Sequence, residues 1–582
     1  MSTNNNLDNK RHTLAHLLAS AVLDLYPDTK NTIGPAIDNG FYYDFDFTSP
    51  LSEADLPKIE AKMKELLPTW LEFTTKTVSE AEAKTHYKTN PYKQELIDEI
   101  VAKGEPITFY TIGAFTDLCR GGHLTNPAKD INPLSFKLDR LAGAYWRGDE
   151  KNKMLTRIYG LAFNTKVELD TYLTDRQEAE KRDHRKIGQD LGLFTFSDLV
   201  GSGLPLFTPR GTLMRELIVD KIKNIQKDFG YENVAIPHIT KKELYQTSGH
   251  WDKFKDELFH VKGVSKTEFV MKPMNCPHHT QIYASEPRSY KDLPIRYSET
   301  TMVYRDEQAG ELLGLARVRS VTQDDGHVFC TLDQVEQEII NIISVIKQFY
   351  SLLNMFKPGQ YWVSLSVRDE KTPEKYLGDP TDWTTAEKML EKAAQAENLD
   401  YKRVSGEAAF YGPKLDFMFK DSLGRERQLA TAQVDFVMPE RFGLNYTDTD
   451  GQKKTPVMIH RAIAGSLERF MAIMIEHFAG AFPLWLSPTQ ISIIPIAESH
   501  ETKALDLKNQ LINKGFRVNI YLADDSLGKR IRKAKTLKTP YLAILGDKEV
   551  ETQTITLESR DTNESLNLSL ADIIQKLQAE LN

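Results

Sequence analysis

The chain has 582 residues, too many for one compact core, so three or four domains of roughly 100 to 200 residues each are expected. Apolar residues at 40% and charged residues at 27% exclude a disordered or fibrous polymer, and a net charge of −8 leaves any nucleic-acid contact to local basic clusters. No apolar run approaches the roughly 18 residues of a membrane span, and the opening MSTNNNLDNKRHT lacks the apolar centre of a signal peptide, so a cytoplasmic location is expected.

In chain order, Asn9 to about Phe163 begins with an amphipathic helix, HTLAHLLASAVLDLY, and continues through Gly-rich turns and short apolar runs as a compact α+β unit. Residues 166–190 are charged and free of Pro, which predicts one exposed helix linking two bodies. From Gly192 to about Pro483, aromatic and β-branched strands alternate with Gly-containing loops and two amphipathic helices, 209–229 and 461–478, the pattern of a mainly antiparallel sheet flanked by helices. The first of these helices aligns Leu213, Leu217, Ile222, Ile225 and Phe229, and a strand, ENVAIPHI, follows it. The tail alternates strands and helices as a small α/β domain with a largely parallel sheet. The expected division is 1–165, 166–190, 191–483 and 484–582, with no internal repeat.

Two basic clusters stand out, KRDHRK at 181–186 and GKRIRKAKTLK at 528–538; most such runs are solvated helix faces, and the second is the stronger candidate for RNA. The three cysteines, Cys119, Cys276 and Cys330, are too scattered for a disulfide framework, and Cys330 reads as a small core residue. In TMVYRDEQAGELLGLARVRSVTQDDGHVF, a strand, Gly-bearing turn and strand put Arg305 and Arg317 on adjacent strands, where two guanidiniums can grip phosphate bidentately. An arbitrary hairpin of this kind more often carries surface ion pairs. Downstream, VMIHRAIAGSLERFMAIMIEHF runs from strand into helix, with Gly465 allowing close backbone approach and Arg469 as a third phosphate ligand.

These segments resemble the three motifs of class II aminoacyl-tRNA synthetases: the helix and strand over 209–237, the Arg305 hairpin and the Arg469 helix occur in the expected order. The strings MKPMNCPHH, RVRSVTQDDGHVFC, EAAFYGPKLDF and PVMIHRAIAGSLERF narrow the resemblance to threonyl-tRNA synthetases over almost the whole chain. The resemblance implies an antiparallel class II catalytic domain, an N-terminal α+β editing domain and a C-terminal α/β anticodon-binding domain. It implies zinc on Cys276, His327 and His460, a set whose fourth position stays open for substrate. It also implies threonine contacts from Asp325, Gln323, Tyr411 and Gln428, an Arg305 bridge from carboxylate to α-phosphate, Mg2+ with ATP, and His250 near the terminal ribose of tRNA(Thr), although a structural role for His250 is nearly as good a reading. A homodimer is expected on the same ground.

A hydroxyl-binding pocket rejects valine but leaks serine, because one methyl group is worth only about 1 to 3 kcal/mol. The four residues His12, His16, Cys119 and His123, from HTLAH and DLCRGGH, resemble an editing site that would clear Ser-tRNA(Thr). A bare HxxxH is usually a pair of satisfied core histidines, and the four side chains also form a plausible metal set; water positioning is the preferred reading. In the tail, GDKEV implies Glu549 as an anticodon contact; Asp524 and Glu558 depart from the usual pattern, with Arg560 a substitute for an Arg common at 558. Relatives commonly start with a small ubiquitin-like domain, expected to be absent here because eleven residues precede His12. The alternative of a catalytically inactive tRNA-binding protein is disfavoured by Arg305, Arg469 and the intact Cys276, His327 and His460 set.

Overall fold

A computed structural model describes residues 3–254, 257–264 and 267–581. Two compact units emerge, Met1–Glu178 and Ala179–Asn582.

In the first unit, helix α1 (Thr3–Leu25) is more deeply enclosed than an amphipathic surface helix. Leu14, Leu17, Leu18, Ala21 and Val22 are fully buried, and even Lys10 is inside, its ammonium donating to Ser135 Oγ at 2.8 Å and to the Phe163 carbonyl at 2.6 Å. His12 is one of the few half-exposed positions along this stretch. Around α1 lie strand β1 (Gly40–Asp46), β2 (Thr74–Val78), helix α2 (Pro91–Ala102), and strands β3 (Ile107–Ile112), β4 (Phe115–Leu118), β5 (Phe136–Tyr145) and β6 (Met154–Ala162). β1, β6 and β5 form most of a five-stranded antiparallel sheet, and β2, β3 and β4 a second sheet of three.

The expected single helix over 166–190 is two: α3 (Lys166–Lys181) and α4 (His184–Asp190). Asp183 breaks the run because its carboxylate caps α4, accepting from Arg185 N at 2.8 Å. The basic cluster here is partly absorbed into structure: Arg182 donates to Ser422 Oγ at 2.8 Å, and His184 is buried.

The second unit is built on an eight-stranded sheet. Its elements are α5 (Pro209–Lys227), β7 (Glu232–Asn233), α6 (Cys276–Ala284), β8 (Ile295–Tyr304), β9 (Ser320–Cys330), α7 (Val335–Ser351), β10 (Tyr361–Val367), β11 (Tyr401–Ser405), β12 (Lys414–Lys420), β13 (Glu426–Asp435), β14 (Val457–Ala462) and α8 (Leu467–His477). The sheet order is β7-β8-β9-β14-β13-β12-β10-β11, antiparallel except at its two outermost pairs. Side chains alternate faces along each strand. Val328, Cys330, Ile459, Ala432, Val434, Leu415 and Phe417 face the main core beneath α5, α7 and α8, which accounts for Cys330 as packing. Gln323, Asp325 and His327 take the opposite face.

Three sequence-based details shift. The buried seam of α5 is Met214, Ile218 and Ile222; Leu217, Ile225 and Phe229 pack beside it, so the burying face is rotated by about one residue. ENVAIPHI shrinks to the two-residue β7. The helix expected from 461 begins at Leu467, because residues 457–462 are strand and Gly465, at φ +64°, turns the chain before Ser466 caps α8.

The tail holds β15 (Ile491–Pro495), β16 (Val518–Ile520), α9 (Leu527–Thr536), β17 (Tyr541–Leu545), β18 (Ile555–Ser559) and β19 (Ser565–Leu568). β16, β15 and β17 pair in parallel, but β18 and β19 add antiparallel strands, so the sheet is mixed where a largely parallel one was expected.

Candidate active and editing sites

On the open face of the large sheet, His327 of β9 stands directly opposite His460 of β14, and the first turn of α6 brings Cys276 to them. One ligand atom from each lies within 4.8 Å of the others, and all three are buried. Each ring also has an outer partner: His460 Nε2 lies 2.9 Å from Asp435 Oδ2, and His327 Nδ1 lies 2.7 Å from His279 Nδ1. That leaves His327 Nε2 and His460 Nδ1 for a cation, so thiolate plus two oriented imidazoles fit a borderline-soft divalent metal. Burial pushes the Cys276 thiol well above its ordinary pKa and His327 well below its own. A bound dication is the charge that offsets the first shift, and it requires the neutral ring the second provides.

Asp325 sits two residues from His327, its Oδ1 3.7 Å from His327 Nε2 and its Oδ2 accepting from Asn275 Nδ2 at 3.1 Å. Tyr411 leans on His460 with ring centres 4.9 Å apart and donates to Gln433 Oε1 at 2.7 Å. His250 is buried against the same cluster, Nε2 3.9 Å from Cys276 Sγ and Nδ1 2.9 Å from Ser248 Oγ. Burial lowers its pKa to about 3, so at neutral pH it is an uncharged wall residue.

Next to this pocket opens a cleft of about 490 Å³, lined by Arg305, Arg317, Gln323, Gln428 and Arg469. Arg305 follows the end of β8, but Arg317 is not on the facing strand as expected. It lies on the loop 305–319, where it donates to Glu307 at 2.8 Å and Glu311 at 2.9 Å. A phosphate there must compete with two carboxylates. Gln428 is oriented by Asp416, to which it donates at 2.7 Å. Arg469 stands on α8 at the cleft wall, where desolvation and the like charge of Arg427 lower its pKa, which favours an arriving anion.

In the first unit, the four editing candidates converge. Cys119 Sγ is 3.6 Å from His12 Nε2 and 3.3 Å from His123 Nε2, and His123 stacks on His12 with centres 4.3 Å apart. His12, His16 and Cys119 border a cleft of about 760 Å³. Burial lowers His16 to about 3 and His123 to about 2, and raises the Cys119 thiol to about 11, so these three side chains are neutral near pH 7.

The tail candidates have structural duties. Glu549 accepts from Thr556 Oγ1 at 2.8 Å and from Gly546 N at 2.9 Å, closing the start of a short helix. Arg560 donates to the carbonyls of Lys538 at 2.7 Å and Phe482 at 3.0 Å. In the basic stretch, Arg530 is buried on backbone carbonyls and Lys535 pairs with Glu558 at 2.6 Å, while Arg532 and Lys538 remain exposed.

Comparison with known proteins matches residues 259–478 to the tRNA synthetase class II core domain (G, H, P, S and T). Residues 490–580 match an anticodon binding domain, and 107–159 the threonyl and alanyl tRNA synthetase second additional domain. A threonine–tRNA ligase of Rubrobacter xylanophilus is 45% identical over 98% of this chain and 88% of its own length, and one of Cytophaga hutchinsonii is 47% identical over the same shares. The chain belongs to the threonine–tRNA ligase family. Among solved structures, the RNA binding domain of threonyl-tRNA synthetase from Cryptosporidium parvum aligns with TM-score 0.64 and 35% identity, over 69% of this chain and 98% of that one.

Within this ligase the sequence reading passed over several residues that share the sites. Asp117, fully buried, pairs with the equally buried Lys93 at 2.5 Å, accepts from Tyr43 at 2.6 Å and lies 3.9 Å from His16 Nδ1. Lys93, Tyr43 and Asp117 all border the editing cleft. At the Cys276, His327 and His460 cluster, Asp435 and the pair His279 and Glu299, 3.5 Å apart, stand behind the two histidines. The DxC spacing of Asp117 and Cys119 on one strand edge was the available signal; nothing in sequence ties Lys93 or His279 to these centres.

Proposed function

We propose that this chain, a class II synthetase of the threonine–tRNA ligase family, activates L-threonine with ATP and Mg2+ and esterifies tRNA(Thr), and that its first unit hydrolyses Ser-tRNA(Thr). The observation that carries the reading is the single sheet face on which Asp325, His327 and His460 adjoin the arginine-lined cleft. Cys276, His327 and His460 would hold a zinc ion, which when bound would supply a Lewis-acidic position that favours a hydroxyl over a methyl group. Asp325 accepts the hydrogen bond of the substrate hydroxyl, with Tyr411 closing the pocket. Gln323 and Gln428 orient the amino acid at the border with the nucleotide.

Arg305 bridges the threonine carboxylate and the α-phosphate, while Arg317 and Arg469 hold the outer phosphates against the charge that accumulates in transfer. The carboxylate oxygen attacks the α-phosphorus and pyrophosphate leaves; the terminal ribose hydroxyl of tRNA then attacks the acyl carbon of the adenylate, loses its proton and displaces AMP. Buried and neutral, His250 acts as packing beside Cys276 in this reading rather than as a charged proton relay. In the first unit, His12, His16, Cys119 and His123 orient a water toward the ester carbonyl of Ser-tRNA. Exposed Arg532 and Lys538 are better RNA contacts than Glu549 or Arg560, whose hydrogen bonds are spent within the fold.

We assign 1–165 to editing, 166–190 to the connection, 191–483 to catalysis and 484–582 to the anticodon. A cytoplasmic homodimer is the corresponding assembly; among the described residues no helix is long and apolar enough to cross a membrane. Threonine-dependent ATP–pyrophosphate exchange tests the reading. Exchange with threonine and none with valine is expected, and no exchange with any amino acid would overturn it.

A further inference from the structure

Asp183, His184 and Glu476 form a cluster outside these sites, compact enough for a metal. The hydrogen bonds argue for another use. His184 Nε2 lies 3.0 Å from the backbone N–H of Leu315, which can only donate, so Nε2 carries no proton. The proton must then be on Nδ1, which lies 2.8 Å from Glu476 Oε1 and donates to it. Both ring nitrogens are committed, and the tautomer is fixed. Glu476 agrees: against the upward push of burial, the His184 donor and the Arg425 charge hold its carboxyl below the usual range. Its other oxygen accepts from Arg425 at 2.5 Å.

What His184 grips is the nucleotide loop. Leu313 and Arg317 exchange backbone hydrogen bonds of 3.1 and 3.3 Å, closing a tight turn with Leu315 between them. Ala316, Arg317 and Val318, the next three residues, line the arginine cleft. Gly314 makes the approach possible: its φ is +49°, and a Cβ there would fall 2.4 Å from His184 Nε2. The Leu315 side chain is itself in the core, so burial anchors the loop and the imidazole sets its register.

We infer that His184 is a positioning residue for ATP, pinning the Leu313–Arg317 turn to the C-terminal end of α8 so that Arg317 is presented to the nucleotide. The inference rests on the reading of the arginine cleft as the ATP site. Three variants separate the parts. Asparagine places an amide at the δ position, keeping a donor to Glu476 and losing the acceptor for Leu315. Glutamine places a carbonyl at the ε position and does the reverse. Alanine loses both.

In threonine-dependent pyrophosphate exchange, H184A and H184N are expected to raise the KM for ATP roughly three- to tenfold, the scale of one hydrogen bond. H184Q should return it to within about twofold of the parent, and the KM for threonine should stay put in all three. A helix anchor with no part in ATP binding would move melting temperature alone. Equal ATP KM values in H184N and H184Q, or an unchanged value in H184A, overturn the inference. Absence of exchange in the parent chain would instead overturn the function on which it rests.

Discussion

Two Cys/His clusters of nearly the same composition sit in the two units of this chain, and their surroundings separate them. In the second unit, His460 is backed by Asp435 and His327 by His279, so two rings are oriented before any ligand arrives. In the first unit, His12 and His123 stack while His16 meets both edge-on, His123 Nδ1 lies 3.3 Å from the Thr13 hydroxyl, and His16 Nδ1 is 3.9 Å from Asp117, beyond hydrogen-bonding range. One cluster has three enclosed members; the other has four, three of which line a broad cleft. Donor identity alone does not make a metal centre. The carboxylate behind His460 and the ring behind His327 favour the second cluster as the proposed metal centre, where the first offers His123 only the Thr13 hydroxyl.

The sharpest break between them is metal removal. Replacing Cys276 by Ser is expected to empty the second cluster and lower threonine activation by more than about a hundredfold, the upper end of what even an outer-sphere change costs. Deacylation of preformed Ser-tRNA should continue, and a chelator on the parent protein should do the same. Loss of both activities on chelation would show that the first cluster also works through a metal.

The converse variant, His12→Ala with Cys119→Ala, removes groups worth about 10² to 10⁴ in proton-transfer catalysis. Labelled serine should then accumulate on tRNA while threonine charging is unchanged. Clearance at the parental rate would assign hydrolysis elsewhere, with Lys93 and Asp117 the nearest candidates.

A smaller effect tests the backing acceptors. Asp435→Asn keeps the shape but trades a carboxylate for an amide opposite His460 Nε2. Metal affinity is expected to fall about 10- to 100-fold, read by competition with a chromogenic chelator. Asp117→Asn in the first unit should leave that affinity unchanged.

These contrasts also mark where sequence was informative. In TQDDGHVFC, period-two alternation puts Gln323, Asp325 and His327 on one face and Asp324, Val328 and Cys330 on the other, and the strand keeps that register. HTLAH likewise brings His12 and His16 together, since i and i+4 meet on any helix. What failed depended on the third dimension. The seam of α5 turned by a residue because Leu217, Ile225 and Phe229 are apolar yet flank the core. The 305–319 loop hid the position of Arg317, and a charged run at 181–186 that reads as surface buries His184. Long-range partners such as Asp435 and Lys93 have no local pattern to betray them.

The last contrast is protonation. His16 is fully buried, and its pKa of about 3 arises mainly from desolvation, opposed by Asp117 and reinforced by His12 when that ring is protonated and by the Lys93 charge. An unfolded imidazole takes a proton near pH 6.5, so the native unit must exclude that proton. The contribution to stability is whole above about pH 6.5 and is lost as pH falls toward 3, at about 1.4 kcal/mol per pH unit. Hydrogen exchange of the α1 amides reads this locally, because the helix that carries His16 must open for the ring to ionise. Between pH 7 and pH 5 the opening free energy of the parent should fall relative to His16→Gln, which has no proton to exclude. If the two stay parallel, His16 is already charged in the native unit as an ion pair with Asp117, and it is not the neutral imidazole that water positioning requires.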